Sequence, residues 1–217
     1  MTYTAIILDI DGTLVDSNDA HARSWQQAMK AYNYDVPYDQ IRPLIGMGGD
    51  QLLPRVTGVQ ESSELGEKIA DKRKAIFHEE YLSNLKPFPA VRELLQRLRD
   101  DGYKLLVATS ATEEDLTSLL QITGAADLID DTTSSSDADL SKPNPDIIHA
   151  ALEKAGVEPD DAVMLGDTPY DIQAAARAGV RTIGLRCGGW EELPGALAVY
   201  DDPADLLRRY DDSPLRH

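Results

Sequence analysis

Residues 5 to 17 read AIILDIDGTLVDS, and this stretch decides the fold. The apolar run from Ala5 to Leu8 predicts a buried strand, and Gly12 predicts a tight turn shortly after it. Two aspartates, Asp9 and Asp11, stand one residue apart at the end of that strand. Because like charges this close disfavour each other, a compensating group is expected nearby. The rest of the sequence has to supply it.

The composition is that of an acidic globular protein. The 217 residues include 21 Lys and Arg against 38 Asp and Glu, which gives a net charge of −17. A surface this acidic repels phosphate backbones and anionic lipids, so nucleic acid and membranes are not expected as partners. The single cysteine, Cys187, excludes an intrachain disulfide and a cysteine zinc site. With no membrane-length apolar run and no secretory signal, we expect a cytoplasmic protein, and at this size a monomer.

Strands alternate with helices from residue 87 onward. This alternation predicts a Rossmann-like α/β fold, in which helices flank a parallel sheet. After the first strand, the predicted strands are Lys104–Ala108, a short one around Leu128, Ala162–Leu165, Val180–Leu185 and Ala198–Tyr200. The stretch DDTTSSSDAD, residues 130 to 139, is predicted to be a solvated loop.

Residues 17 to 86 show helices without strands. The predicted helices span residues 19–32, 41–45, 51–56 and 65–82, and in the first of them Trp25, Met29 and Tyr32 form one apolar stripe. We therefore predict an α/β core made of residues 1–16 and 87–217, with an inserted four-helix domain at residues 17–86.

A polar or charged group follows each of four predicted strands. In strand order these groups are Asp9 with Asp11, Thr109 with Ser110, Lys142, and Asp167 with Asp171. Because the carboxyl ends of parallel strands share one edge of the sheet, we expect them to converge. Carboxylate oxygens suit a hard cation such as Mg²⁺, which recruits a phosphate that hydroxyl and ammonium groups can also hold. One carboxylate can attack phosphorus and a second can transfer protons.

Four segments of the chain, in this order, resemble the four motifs of the haloacid dehalogenase superfamily. They are DIDGTLVDS, the TS of VATSA, SKPNPD and LGDTPYD. The resemblance covers essentially the whole chain and implies a helical cap inserted just after the first motif. It further implies Mg²⁺-dependent hydrolysis of a small phosphorylated metabolite through an aspartyl-phosphate.

The resemblance also implies roles for individual residues. Asp9 would be the nucleophile, Asp11 the general acid and base, and Lys142 the residue that steadies both the nucleophile and the phosphoryl group. The implied phosphate-binding residues are Gly12, Thr109 and Ser110, and the implied metal ligands are Asp9, Asp11 through its carbonyl, Asp167 and Asp171.

The cap resembles those of phosphoglycolate-phosphatase-like enzymes and of β-phosphoglucomutase. The resemblance is therefore compatible with either a hydrolase or a mutase reaction. His21 stands at the offset of a cap histidine of the mutase, where it would touch substrate, ease proton transfer or pack against the hinge. Residues 44–50 read LIGMGGD, with no cation to hold a second phosphate. Hydrolysis of a phosphoglycolate- or sugar-phosphate-type monoester is therefore favoured over the mutase reaction, and Gly48 is predicted to face the substrate. A non-catalytic phosphate sensor or receiver-like module is a further alternative, against which the cap and the Asp9–Asp11 pair argue.

Overall fold

The computed structural model describes residues 3 to 216, which divide into two compact units. The first unit contains the chain up to Asp16 and again from Lys86 onward, and the second is Ser17–Leu85. The two connecting segments run side by side, because the Asp16 N–H donates to the Lys86 carbonyl at 3.0 Å. Lys86 thus belongs to the first unit, one residue away from the division expected from sequence.

A six-stranded parallel sheet forms the centre of the first unit. Its strands are β1 Ala5–Leu8, β2 Lys104–Ala108, β3 Asp131–Thr133, β4 Ala162–Gly166, β5 Arg181–Leu185 and β6 Ala198–Tyr200. The spatial order is β3-β2-β1-β4-β5-β6, and Leu8 of β1 pairs with Val107 of β2 and with Leu165 of β4. Because the chain winds to one side after β1 and to the other after β4, the carboxyl ends of these two strands form a topological switch point.

Helices account for most of the remaining regular structure in residues 3 to 216. They are α1 Asn18–Ala31, α2 Tyr38–Ile41, α3 Gly49–Thr57, α4 Glu64–Ile76, α5 Val91–Asp100, α6 Glu113–Thr123, α7 Asp146–Ala155, α8 Pro169–Arg177 and α9 Pro203–Arg208. Ala5 and Ile7 of β1 pack in one cluster with α7 and α8. Because side chains alternate along a strand, Ile6 and Leu8 face the other side of the sheet, where they are also buried.

The second unit is built from α1 to α4 around its own apolar cluster. Trp25 and Met29 of α1 are buried in this cluster and Tyr32 packs against it, so the stripe predicted from sequence forms. The helix predicted over residues 65–82 is not continuous. It ends as α4 and is followed by a π-helical turn over Phe77–Tyr81.

The strand predicted around Leu128 is wrong. Ala126–Leu128 forms a 3-10 turn, and the third strand is Asp131–Thr133, inside the stretch predicted to be a solvated loop. This strand lies at the edge of the sheet, where it pairs only with β2 and leaves Asp131 exposed. Pairing with a neighbouring strand, and not apolar composition, makes these residues a strand.

Candidate active site

The register of β1 and β4 places two aspartates at the switch point. Asp9 directly follows β1 and Asp167 directly follows β4. The Asp9 N–H donates to the Leu165 carbonyl at 2.9 Å, which extends the sheet pairing to the first residue of the site. Gly12 then adopts φ +77°, in the left-handed region that favours glycine, and its N–H donates to the Val15 carbonyl at 2.8 Å.

Lys142 is fully buried among three acceptors. Its Nζ donates to Asp9 Oδ1 at 2.5 Å and to the Ala108 carbonyl at 2.9 Å, and it forms an ion pair with Asp171 Oδ1 at 2.8 Å. The ammonium group therefore faces two carboxylates and one carbonyl oxygen. Burial alone would lower the pKa of Lys142, but the charges of Asp171 and Asp9 outweigh it and raise that pKa. The side chain therefore supplies a fixed positive charge.

The two carboxylates that pair with Lys142 belong to a group of three. Oxygens of Asp9, Asp167 and Asp171 lie within 4.8 Å of one another. Burial, opposed by Lys142 and assisted by Asp171 and Asp11, raises the pKa of Asp9 to about 7.

The charges of this group fit a divalent cation. Three carboxylates against the one ammonium leave two negative charges in excess in a buried position. Carboxylate oxygens are also the ligands that Mg²⁺ takes in proteins. The donor set and the excess charge therefore both match Mg²⁺.

Thr13 links two of the carboxylates, a contact that was not predicted from sequence. Its buried hydroxyl lies 3.2 Å from Asp9 Oδ2 and 2.9 Å from Asp167 Oδ1, and donates toward them. Thr13 directly follows the D-x-D-G segment, which was the available signal. The sequence does not show that this hydroxyl reaches the aspartate of a strand 154 residues further along the chain.

Asp171 has two structural tasks at the start of α8. Its Oδ2 accepts hydrogen bonds from the N–H and the hydroxyl of Thr168, at 2.9 and 2.7 Å, and the Thr168 hydroxyl oxygen accepts from the Asp171 N–H at 3.2 Å. This reciprocal pair is a capping box, which satisfies the first N–H groups of the helix. The other oxygen, Oδ1, pairs with Lys142.

Thr109 and Ser110 follow β2 at the same edge. The Thr109 N–H donates to the Thr133 carbonyl at 3.1 Å, and the Thr109 Oγ1 accepts from the Ala111 N–H at 3.0 Å. The Ser110 hydroxyl is buried and has no hydrogen-bond partner within residues 3 to 216. Because a buried hydroxyl without a partner is unfavourable, this group is suited to bind an oxygen of a ligand.

Asp11 is placed differently from the other acidic residues of the site. It is half-buried, and its charge contributes to the raised pKa of Asp9. In the part of the chain that the structure describes, the cluster of three carboxylates does not include the Asp11 side chain. The Asp11 side chain is thus separate from the three clustered carboxylates of Asp9, Asp167 and Asp171.

His21 and Gly48 lie in the second unit. The His21 ring stacks on Phe77 with ring centroids 4.3 Å apart, and its Nδ1 contacts the Arg73 guanidinium. Gly48 precedes α3, and its carbonyl accepts from the Gln51 N–H at 3.0 Å. These contacts of His21 and Gly48 are all made with residues of the second unit.

A buried lysine, three carboxylates and an available hydroxyl lie at one edge of the parallel sheet, and this arrangement is that of a phosphohydrolase of the family shown next. The chain belongs to the haloacid dehalogenase-like hydrolases, whose family pattern matches residues 6–185. The resemblance identified from the four motifs is thereby confirmed.

Individual relatives agree with this assignment. The chain is 30% identical over 214 residues to a phosphoglycolate phosphatase of Aquifex aeolicus, covering 95% of this chain and 96% of that protein. It is 28% identical over 212 residues to the pyrophosphatase PpaX of Bacillus velezensis, covering 96% and 94%. The crystal structure of a hydrolase from Pseudomonas syringae has a similar fold, with a TM-score of 0.89, 31% identity and coverage of 96% and 98%.

No helix within residues 3 to 216 combines the length and the apolar character that crossing a bilayer requires.

Proposed function

We propose that this chain is a Mg²⁺-dependent phosphatase that hydrolyses a small phosphate monoester through an aspartyl-phosphate on Asp9. The observation that carries the proposal is the buried group in which Lys142 faces Asp9 and Asp171, with Asp167 beside them. Its excess negative charge fits a divalent metal, and the available hydroxyl of Ser110 fits a phosphate oxygen. The relative named phosphoglycolate phosphatase supports a phosphoglycolate- or sugar-phosphate-type substrate.

Asp9 is the nucleophile of the proposed reaction. Its Oδ1 is held by Lys142 at 2.5 Å and its Oδ2 lies 3.2 Å from the Thr13 hydroxyl, so its orientation is fixed before substrate binds. Attack forms a bond from an Asp9 carboxylate oxygen to phosphorus and breaks the bond from phosphorus to the leaving alcohol. Lys142 offsets part of the negative charge on the reacting group.

The remaining residues complete the two proposed steps. Asp11 protonates the leaving alcohol, then takes a proton from the water that attacks the aspartyl-phosphate and releases phosphate. Thr109 and Ser110 donate to phosphate oxygens, and the Gly12 turn lets the backbone approach them. Mg²⁺, held by Asp9, Asp167 and the Asp11 carbonyl with support from Asp171, would neutralise charge on the transferring phosphoryl group.

Residues 17–85 are proposed to act as a cap that selects the substrate, with His21 and Gly48 as candidate contacts. Their compact packing as a separate unit supports this role. The mutase reaction is not favoured, because residues 44–50 contain no cation and both sequence relatives described above are named as hydrolases. The relative named pyrophosphatase makes inorganic pyrophosphate a second candidate substrate.

The experiment compares hydrolysis of p-nitrophenyl phosphate by the wild type and by Asp9→Asn, with Mg²⁺ and with EDTA. Asp160→Asn is the matched control, because it makes the same change at an exposed position. We expect Mg²⁺-dependent activity that falls by about 10³-fold or more in Asp9→Asn, as for the loss of other nucleophiles, and is unchanged in the control. Full turnover by Asp9→Asn would refute the covalent scheme. Phosphoglycolate, sugar phosphates and pyrophosphate would then be compared by kcat/KM to identify the substrate.

A further inference from the structure

The loop after β5 packs a glycine directly against a carboxylate of the site. A Cβ placed on Gly188 would lie 1.7 Å from Asp167 Oδ2 and 2.4 Å from Asp167 Cγ, far inside van der Waals contact. Gly188 is buried, and its φ lies outside the left-handed region that favours glycine. Lack of space, and not backbone conformation, therefore accounts for the glycine at this position.

Contacts made by the two residues before Gly188 hold this loop in place. Upstream of Gly188, the Cys187 thiol donates to the Gly12 carbonyl, with Sγ 3.3 Å from the oxygen. Burial and the nearby charge of Asp167 raise the pKa of Cys187, so the thiol keeps the proton that it donates. Arg186 pairs with Asp201 at 2.9 Å. Because the loop is held in place, a side chain at position 188 would displace the Asp167 carboxylate and not the loop.

The Asp167 carboxylate is consequently bounded at both oxygens. Thr13 donates to Oδ1 at 2.9 Å, and the backbone at Gly188 lies against Oδ2. A comparable arrangement occurs at Asp171, because a Cβ on Gly166 would lie 2.7 Å from Asp171 Cβ and 2.9 Å from its Oδ2. Two glycines thus provide the space that two of the three clustered carboxylates occupy.

We propose that Gly188 is a positioning residue for metal binding: its bare backbone sets the place of the Asp167 carboxylate within the cluster. The proposal rests on the proposed function, since it takes Asp167 as a ligand of Mg²⁺. Gly188→Ala is expected to weaken Mg²⁺ binding about 10- to 100-fold, the usual effect of altering groups that orient metal ligands.

The test measures Mg²⁺ binding without substrate. Thermal unfolding is followed at increasing MgCl₂, because a ligand that binds the folded state raises Tm by an amount set by its Kd. Gly184→Ala is the matched control, since it makes the same change in β5 and its Cβ would meet Leu193 Cδ1 at 2.7 Å. We expect it to lower Tm without changing the Kd for Mg²⁺. In Gly188→Ala the Kd should rise, and higher Mg²⁺ should restore kcat.

The outcomes separate this proposal from the proposed function. A wild-type Kd in folded Gly188→Ala overturns the positioning role. Asp167→Asn should abolish most of the Mg²⁺ response, and a wild-type response there would overturn the metal site itself. If Gly188→Ala does not fold, Cys187→Ala carries the test, because it loosens the loop without adding atoms. Its Kd should rise about two- to fivefold, as the loss of one hydrogen bond implies, and an unchanged Kd overturns the proposal.

Discussion

Replacing Lys142 with methionine is the sharpest test of how the site is held together. Methionine has a similar length and no charge, so the change removes all three N–H donors while it keeps most of the volume. Asp9 and Asp171 would lose their cationic partner in a fully buried position, and the Ala108 carbonyl would lose a donor. The three carboxylates would then face one another without the ammonium group that pairs with two of them.

The expected cost follows from these contacts. Removing one partner of a buried ion pair typically destabilises a protein by about 3–5 kcal/mol, because the remaining charge stays buried. For a chain of this size each kcal/mol lowers Tm by roughly 2–4 °C, so we expect Tm to fall by about 6–20 °C. Phosphatase activity should fall about 100- to 1000-fold, since Lys142 is proposed to stabilise the reacting charge.

The assay is chemical and thermal unfolding in EDTA, with Lys104→Met as the control. Lys104 is exposed, and its Nζ donates only to the Ala155 carbonyl, at 2.9 Å, among the hydrogen bonds of the described residues. The double variant Lys142→Met/Asp171→Asn should recover part of the stability, because it removes one of the clustered charges. A loss below about 1 kcal/mol in Lys142→Met would refute the view that this lysine neutralises the buried carboxylates.

Three further outcomes are expected. Asp11→Asn should lower turnover of alkyl phosphates about 10²- to 10⁴-fold in steady-state assays but affect p-nitrophenyl phosphate far less, and equal losses would contradict its role as an acid. Thr13→Val should lower kcat/KM about 10- to 100-fold, because a hydrogen bond to a charged group is lost, whereas Thr13→Ser should keep most activity. Ala90→Gly should raise Tm by roughly 2–4 °C in calorimetry, because Ala90 has φ +60°, a conformation costing alanine about 1 kcal/mol, and an unchanged Tm would argue against strain there.

The sheet and the convergence of polar groups could be predicted because both depend on local patterns. An apolar run such as Ala5–Leu8 predicts a strand buried on both faces, and the alternation with helices predicts parallel neighbours. Parallel pairing then brings Asp9, Thr109 and Asp167 to one edge whatever the details of the loops. The fold class and the placement of these residues follow from that rule.

The edge strand and the contacts inside the site could not be predicted in the same way. Residues 131–133 are polar and form a strand only because β2 offers an unpaired edge, which is a tertiary effect. Thr13 and Gly188 both contact Asp167, which is remote from each of them in the sequence. A single sequence shows which groups reach the edge, but not which oxygen each of them meets.

The hydrogen bonds of the carboxylates also divide their tasks. Asp171 uses Oδ2 for the capping box with Thr168 and Oδ1 for Lys142, so both of its oxygens are engaged within the protein. Asp167 accepts a hydrogen bond from the Thr13 hydroxyl and lies against the backbone at Gly188, and both contacts orient its carboxylate. Under the proposed function, Asp167 would be a direct ligand of Mg²⁺, whereas Asp171 would act mainly by fixing Lys142 beside Asp9. The two aspartates that follow β4 would then each serve a different positive charge of the reaction. Asp167 would hold the metal that binds phosphate, and Asp171 would hold the lysine that positions the nucleophile.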